Sequence, residues 1–252
     1  MGLGDEIIVT GIARKAQQRN KWPAVVFDRN MRIRSHEMWA NNPRIHTTWD
    51  RKSPINQLHN GPGVRPYIAN KTEERWTWKD FDCPVGELYF SADELRFAEM
   101  VTKGAVIIEP NNKHKAPVNK DWGWDRWVRT AELLRKEGVR LVQMGTAGVR
   151  VLPHVEFVVT PWFRHACAIL ANARGAVLPE GGLHHAAAAV AVPAVVVYGG
   201  FISPRQTGYA LHRNLFTGGE PCGMRVPCAH CRKAMSEIYP EMVVQNLMEI
   251  VK

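Results

Sequence analysis

The sequence has no long hydrophobic run and few cysteines for its 252 residues. Its longest apolar stretch, residues 186–200, contains Pro193 and is shorter than the roughly 20 residues that a membrane-spanning helix needs. The first residues include Asp5 and Glu6, where a secretory signal would carry a basic segment and then an apolar one. Five cysteines are an odd number and too few for a disulfide framework. We therefore expect a soluble cytoplasmic protein without a membrane span.

Acidic residues are scarce only in the first part of the chain. Residues 1–71 carry 12 Lys and Arg against 5 Asp and Glu, a net charge of +7, whereas residues 72–252 carry 21 against 19. Such an uneven distribution of charge creates an electrostatic field that attracts an anionic partner to one region of the molecule. A phosphorylated glycan, a lipid headgroup and nucleic acid all fit, and a solvated basic surface is the alternative. The net charge indicates an anionic partner but does not distinguish among these candidates.

Short apolar runs alternate with helical patterns from residue 105 onward. The sequence predicts strands at 105–109, 139–144, 157–159, 175–178 and 193–198, with helices at 124–138, 162–174, 184–190 and 241–252. This alternation is typical of a parallel sheet with helices on both faces. We predict an α/β protein with a boundary near residue 100, which divides a basic lobe, 1–100, from a Rossmann-like lobe, 101–252.

The first lobe is less regular. A helix is predicted over residues 5–19, a buried strand at 24–27, and irregular structure over 41–66, which is rich in Asn, Pro, Gly and His. Ser91 and Glu94 have the spacing of a capping box at the start of another helix.

Two glycine-containing segments are candidate ligand sites. Gly181 and Gly182, in a segment that runs from Glu180 to His185, follow a predicted strand and open a helix, where free amides favour a phosphate. His184 and His185 are adjacent, so at most one of them faces this loop. Gly2 to Asp5 likewise opens a helix, and Asp5 there is either a helix cap or a functional carboxylate.

Several cations and thiols follow the predicted strands. Lys113, His114, Lys115 and Lys120 come after the strand at 105–109, and Arg205 follows the last strand; each could hold a phosphate or lie in a solvated loop. Cys222, Cys228 and Cys231, with His230, form a compact group whose ligand types suit zinc. Because its spacing is not that of a standard zinc finger, we expect free thiols there and no metal.

Several of these segments, taken in order, resemble glycosyltransferase family 9, the ADP-heptose:lipopolysaccharide heptosyltransferases and their relatives. The similar segments are Gly2–Asp5, Asn42–Ile45, Lys120–Trp122, Glu180–Ala188, Tyr198–Gly200, Pro204–Gly208 and the cysteine-rich stretch after Pro221. The sequence departs from the family pattern in three ways. It starts at the glycine-rich motif, so either the strand that precedes this motif in the family is absent or the true start lies upstream, and its first lobe is short. Glu180 replaces the usual aspartate, and residues 145–150 lack the acidic residue that relatives use near the nucleoside.

The resemblance implies a GT-B-like fold with a truncated amino-terminal lobe, two Rossmann-like lobes that face each other across a cleft, and metal-independent, inverting sugar transfer with no cofactor. Asp5 would be the general base, and Gly181 and Gly182 would lie opposite it. The donor, a nucleotide-diphosphate sugar, would be bound by Lys120, Glu180, Gly181, Gly182, Leu183, His184 and Arg205. The acceptor would be an anionic glycan or lipid-linked glycan, which allows a peripheral membrane contact. A modified base in DNA and a non-catalytic role in binding nucleotide sugars remain alternatives.

Overall fold

The computed structural model describes residues 2–61, 65–99, 101, 104–113 and 116–251. His114 and Lys115, two of the predicted phosphate-binding cations, lie outside these ranges. Across the described ranges, every helix is too short or too polar to cross a bilayer.

The chain forms mixed helices and strands. The helices are α1 (Leu3–Asn20), α2 (Ala92–Glu99), α3 (Trp124–Lys136), α4 (Phe163–Ala171), α5 (Gly182–Ala189), α6 (Pro204–Thr207), α7 (Ala229–Ser236) and α8 (Pro240–Ile250). The strands are β1 (Ala24–Phe27), β2 (Ile45–His46), β3 (Asn56–His59), β4 (Ile68–Lys71), β5 (Trp76–Trp78), β6 (Val106–Ile108), β7 (Leu141–Gly145), β8 (Glu156–Val159), β9 (Gly175–Pro179), β10 (Ala194–Val197) and β11 (Arg213–Leu215).

The second half of the chain builds a six-stranded parallel sheet in the order β11-β10-β9-β6-β7-β8. Strands β6, β9 and β10 are buried along their whole length, because helices cover both faces. Ile107 faces one core with α4 and α5, whereas its neighbours Val106 and Ile108 face the other with α3 and α8. The predicted alternation of strands and helices is confirmed. The strand order reverses between β6 and β9, which is where such sheets bind ligands.

The first half of the chain contains a smaller parallel sheet, β2-β1-β3, and an antiparallel hairpin of β4 and β5. The prediction of irregular structure over 41–66 is therefore wrong in part, because β2 and β3 lie within it and pair with the buried β1. The capping box is confirmed: Ser91 N donates to Glu94 Oε2 at 2.8 Å, and Glu94 N donates to Ser91 Oγ at 3.2 Å. The division of the chain near residue 100 stays a prediction.

Helix α1 connects the two sheets. Its apolar residues Ile7 and Ile8 belong to the same buried cluster as Val26 of β1 and Val196 of β10. It packs closely against α5 of the second half. The amino-terminal ends of α1 and α5 are thereby held side by side at the edge of the large sheet.

Candidate functional site

A cavity of about 630 Å³ opens where the carboxyl ends of β6, β7 and β9 meet the amino-terminal end of α1. Six of the predicted site residues line this cleft: Asp5, Lys120, Glu180, Gly181, Gly182 and Leu183. Further lining residues are Arg65, Tyr67, Glu109, Lys113, Met144, Thr160 and His185. The structure thus brings together Asp5 and the Gly181–Gly182 turn, which are far apart in sequence.

Two helix termini converge on the cleft. A Cβ atom added at Gly182 would lie 3.6 Å from Gly4 N, and one added at Gly4 would lie 2.3 Å from the His185 ring. The absence of side chains therefore lets the first turns of α1 and α5 approach each other. The backbone N–H groups of a first turn have no acceptor within their helix, and both helix dipoles are positive at this end. Two such ends side by side favour an anionic group in the cleft.

Asp5 is buried and held by three donors. Its Oδ2 accepts hydrogen bonds from Gly2 N and forms an ion pair with Arg65 Nε, each at 3.0 Å, and its Oδ1 accepts from Tyr67 Oη at 2.5 Å. Burial and the Asp5 charge raise the pKa of Tyr67 well above its usual value, so its hydroxyl stays protonated and donates. Asp5 consequently serves as a cap for α1, one of the two alternatives, while it also faces the cleft.

Two lysine side chains, Lys113 and Lys120, line the cleft. Lys120 is ion-paired with the buried Glu180. Burial alone would raise the pKa of Glu180, but the Lys120 ammonium holds it below the usual value, so the Glu180 carboxylate is ionised. Within the part of the chain that is described, no carboxylate pairs with Lys113. Burial, with Arg65 and Lys120 nearby, lowers the pKa of Lys113. Lys113 is thus a cation that an anionic ligand can engage without displacing a partner.

His184 does not lie where it was predicted. Its side chain is 0% exposed, its Nδ1 accepts from Gly181 N at 2.9 Å, and its Nε2 lies 2.8 Å from the carbonyl oxygen of Thr207. Because that oxygen can only accept, Nε2 carries the proton and donates. Burial lowers the pKa of the ring, which keeps it neutral. His184 therefore caps the start of α5, and the described lining of the cleft does not include it, so its predicted contact with the sugar or phosphate has no support from this geometry.

His185, on the neighbouring face of α5, is the histidine that lines the cleft. Its Nδ1 lies 2.6 Å from Tyr209 Oη, which in turn accepts from the Cys83 thiol at 3.4 Å. The Tyr209 hydroxyl then donates to Nδ1, which leaves the ring proton on Nε2. Burial lowers the pKa of His185 well below its usual value, so the neutral ring offers one N–H group beside Gly4.

Glu109, at the end of β6, is a lining residue that sequence reasoning missed as a functional group. It is 5% exposed, its Oε1 accepts from Asn111 N at 2.8 Å, and its Oε2 has no hydrogen-bond partner. Burial raises its pKa to about 7. A buried, half-satisfied carboxyl group in a cleft is a candidate ligand contact.

Arg65 and Tyr67 are two further cleft residues that sequence reasoning missed. The sequence around Arg65 and Tyr67 has no motif, and their contact with Asp5 spans about 60 residues of chain.

Arg205 lines a different cavity, between the β4–β5 hairpin and α6, together with Trp78 and Phe216. The described lining of the cleft does not include it, so a role for Arg205 in donor binding has no support from this geometry.

The predicted cysteine group is compact. The Sγ atoms of Cys222, Cys228 and Cys231 and a ring nitrogen of His230 all lie within 4.8 Å of one another. The group lies in the loop before α7 and at its first turn, outside the cleft lining.

No protein-family model and no curated protein matches this sequence. Among solved structures, the chain is similar to a glycosyl transferase of family 9 from Veillonella parvula, with a TM-score of 0.63 and 12% identity over 100% of this chain and 95% of that one. It is similar to the iron-containing dodecameric glycosyltransferase TibC from enterotoxigenic E. coli, with a TM-score of 0.68 and 14% identity over 99% and 76%.

A third similar structure is the E. coli ADP-heptose lipopolysaccharide heptosyltransferase II, with a TM-score of 0.51 and 19% identity over 66% of this chain. The match spans about half of that enzyme, 53% of its length. These structural similarities show a shared fold. The predicted GT-B-like architecture, and the resemblance to family 9 at the level of fold, are confirmed.

Proposed function

We propose that this protein is an inverting glycosyltransferase that moves a sugar from a nucleotide-diphosphate sugar to a hydroxyl group of an anionic acceptor. One observation carries the proposal. Asp5 and Arg65 line both the 630 Å³ cleft and a second cavity of about 150 Å³, which extends along α1 to Ile12. A carboxylate at the junction of two cavities is where a general base between a donor and an acceptor has to be.

The large cleft suits the donor. The first-turn amides of α1 and α5, with Lys113 and Lys120, surround the space that a diphosphate would fill. Preorganised donors of this kind stabilise the charge that develops on a leaving diphosphate, and this proposal needs no metal ion for that step. A nucleoside fits the adjoining wall formed by Met144, Val149 and Thr160. Because one structural neighbour is an ADP-heptose enzyme, ADP-heptose is the first donor to try.

The smaller cavity suits the acceptor. Arg65 and Lys79 line it together with Asp5 and His59, so it combines two cations with one carboxylate. Arg65 belongs to the basic first part of the chain, residues 1–71, and Lys79 follows shortly after it. Both would attract a phosphorylated or otherwise acidic glycan.

The transfer step is a single displacement. Asp5 removes the proton from the acceptor hydroxyl, whose oxygen forms a bond to the anomeric carbon. The bond from that carbon to the diphosphate oxygen breaks, and the electron pair stays on the diphosphate. Because the acceptor attacks from the side opposite the leaving group, the configuration of the anomeric carbon inverts. A positioned general base typically contributes about 10²–10⁴-fold to such a step.

The donor half of the proposal is tested by calorimetric titration with ADP, UDP, GDP and CDP. We expect at least one of them to bind, and Lys113→Ala to weaken its binding, because an unpaired ammonium in the cleft is lost. The matched control is Lys136→Ala, at the exposed end of α3. If none of the four nucleotides binds, or if both variants bind as the wild type does, the assignment of the cleft is wrong.

A further inference from the structure

The loop before α7 and the first turn of that helix bring three thiols and one imidazole to separations close to those in a tetrahedral metal site. Cys222 Sγ lies 3.1 Å from Cys231 Sγ and 3.9 Å from Cys228 Sγ, and His230 Nδ1 lies 4.0 Å from Cys231 Sγ. Four ligands of a tetrahedral zinc ion, bound at about 2.0–2.3 Å, are separated by about 3.3–3.8 Å from one another. The group therefore needs only small side-chain movements to surround one ion.

The imidazole is already oriented as a ligand. His230 Nε2 lies 2.6 Å from the carbonyl oxygen of Gly218, and since that oxygen can only accept, Nε2 carries the proton. The lone pair of Nδ1 therefore faces the thiols. A Cβ atom at Gly200 would lie 2.9 Å from this Nδ1, so the glycine makes room for the ring. A ring nitrogen tied to a backbone carbonyl is how proteins usually fix the tautomer of a metal-binding histidine.

The thiols are not committed to other contacts. Cys228 occupies the N-cap position of α7 without making a side-chain capping bond, and Cys231 lies one turn further on. Cys222 Sγ accepts a hydrogen bond from Met224 N at 3.4 Å, a contact that favours a thiolate. The sulfur atoms have no partners outside the group among the described residues apart from this amide.

We propose that Cys222, Cys228, His230 and Cys231 bind one structural zinc ion. Soft thiolates with an imidazole select zinc among the common divalent ions, and four protein ligands leave no open position for catalysis. This inference does not depend on the proposed sugar transfer.

The position of the group indicates what the ion would stabilise. Cys222 N donates to Gly200 O at 3.0 Å, and Trp76 N of the β4–β5 hairpin donates to Gly223 O at 2.9 Å. On the other side, the Asn119 side chain donates to Val226 O at 2.7 Å and accepts from Cys228 N at 3.2 Å. The cysteine loop therefore joins the first half of the chain to the end of β10 and to the turn that carries Lys120. A metal ion there would fix this junction, and its binding energy would add to the stability of the fold.

The test measures metal content by mass spectrometry on the full chain, purified under reducing conditions from a medium that contains zinc. We expect one zinc per chain, and a fall in Tm on the order of 5 °C or more when a chelator removes it. Substitution with Co²⁺ in the wild type should give the intense visible bands of tetrahedral cobalt and a thiolate charge-transfer band in the near ultraviolet.

Variants identify the ligands. Cys228→Ser and His230→Ala should lose the zinc, whereas His230→Cys should retain it, because a fourth thiolate replaces the imidazole. Cys83→Ser is the control, since Cys83 lies outside the group and contacts Tyr209. If Cys228→Ser does not fold, the wild-type cobalt spectrum and chelation still decide the question.

Three results would overturn the proposal. One is a wild-type protein that neither contains zinc nor takes it up, and another is one zinc per chain that persists in Cys228→Ser. The third is a mass lower by two hydrogens that locates a Cys222–Cys231 disulfide, which would make the group a redox pair. Stoichiometric iron in place of zinc would overturn the choice of metal.

Discussion

At the scale of single residues, the surroundings of Asp5 explain how one carboxylate can both cap a helix and act on a ligand. A carboxylate has about four lone-pair positions, and Gly2, Arg65 and Tyr67 occupy three of them. The remaining position is available to an acceptor hydroxyl. The three donors also prevent rotation of the side chain, so Arg65 and Tyr67 are positioning residues for the proposed base.

Glu109 leads to a prediction about pH. Its pKa in the folded protein, about 7, is above its ordinary value of 4.5. The folded state therefore binds the proton more tightly, and the stability present at low pH is lost as pH rises from about 4.5 through 7. Between pH 4 and pH 8 the wild type should lose about 3 kcal/mol more unfolding free energy than Glu109→Gln, which mimics the protonated form.

Chemical denaturation at both pH values measures this difference. Glu156→Gln is the control, because Glu156 is an exposed partner of Arg140, and it should follow the wild type. Parallel pH profiles for the wild type and Glu109→Gln would show that folding leaves the pKa of Glu109 unchanged.

At the scale of secondary-structure elements, the contact between α1 and α5 determines the shape of the site. Gly4 of α1 lies against the His185 ring, which Tyr209 holds in place. Alanine at position 4 would gain up to about 1 kcal/mol of helix propensity, but its Cβ would lie 2.3 Å from Cδ2 of that ring. Because the ring is fixed, we expect overpacking to dominate.

Gly4→Ala should therefore lower the unfolding free energy by about 1–3 kcal/mol. Gly61→Ala is the matched control, because its added Cβ would meet its nearest neighbour at an ordinary 3.7 Å. Denaturant titration measures both variants. Equal stabilities for Gly4→Ala and the wild type would mean that α1 and α5 are not in close contact.

The elements that could be predicted are those whose signal is local. Residues 24–27 and 105–109 are apolar runs, and the sequence predicts β1 and β6 there because both faces of these strands are buried. Strand β3 has only one aliphatic residue and exists through its pairing with β1, so no local pattern indicates it. Helix α7 was likewise not predicted, since its first turn looks like a cysteine loop.

The candidate site was also predicted only where its sequence signal is local. The Gly181–Gly182 turn is visible in the sequence because a buried strand precedes it and a helix follows. Which of the two histidines faces the cleft depends on Thr207 and Tyr209, more than 20 residues away along the chain. Long-range partners of this kind cannot be read from one sequence.

At the scale of the whole molecule, the two sheets share one buried cluster. Val26 and Ile45 of the small sheet, Ile8 of α1, and Ile107 and Val196 of the large sheet belong to it. An ion pair of Arg164 in α4 with Glu94 in α2, at 2.6 Å and largely buried, joins the halves again. The two parts of the chain are therefore expected to depend on each other for stability.

We accordingly predict one cooperative unfolding transition. Far-ultraviolet circular dichroism reports on all elements, and tryptophan fluorescence includes contributions from Trp39 in one core and Trp127 in the other. The two signals should have the same midpoint in urea. Two separate midpoints would show that the lobes unfold independently.

The central claim is that Asp5 acts as a base on an acceptor while the amides and lysines opposite it hold the donor. The most direct test compares Asp5→Asn with the wild type in two assays on the same preparation, sugar transfer and titration with the nucleoside diphosphate that binds. Asp82→Asn is the control, because Asp82 is an exposed partner of Lys15. We predict that Asp5→Asn lowers the transfer rate by about 10²–10⁴-fold while its affinity for the nucleotide stays within a few fold of the wild type. Transfer at the wild-type rate by Asp5→Asn would contradict the account.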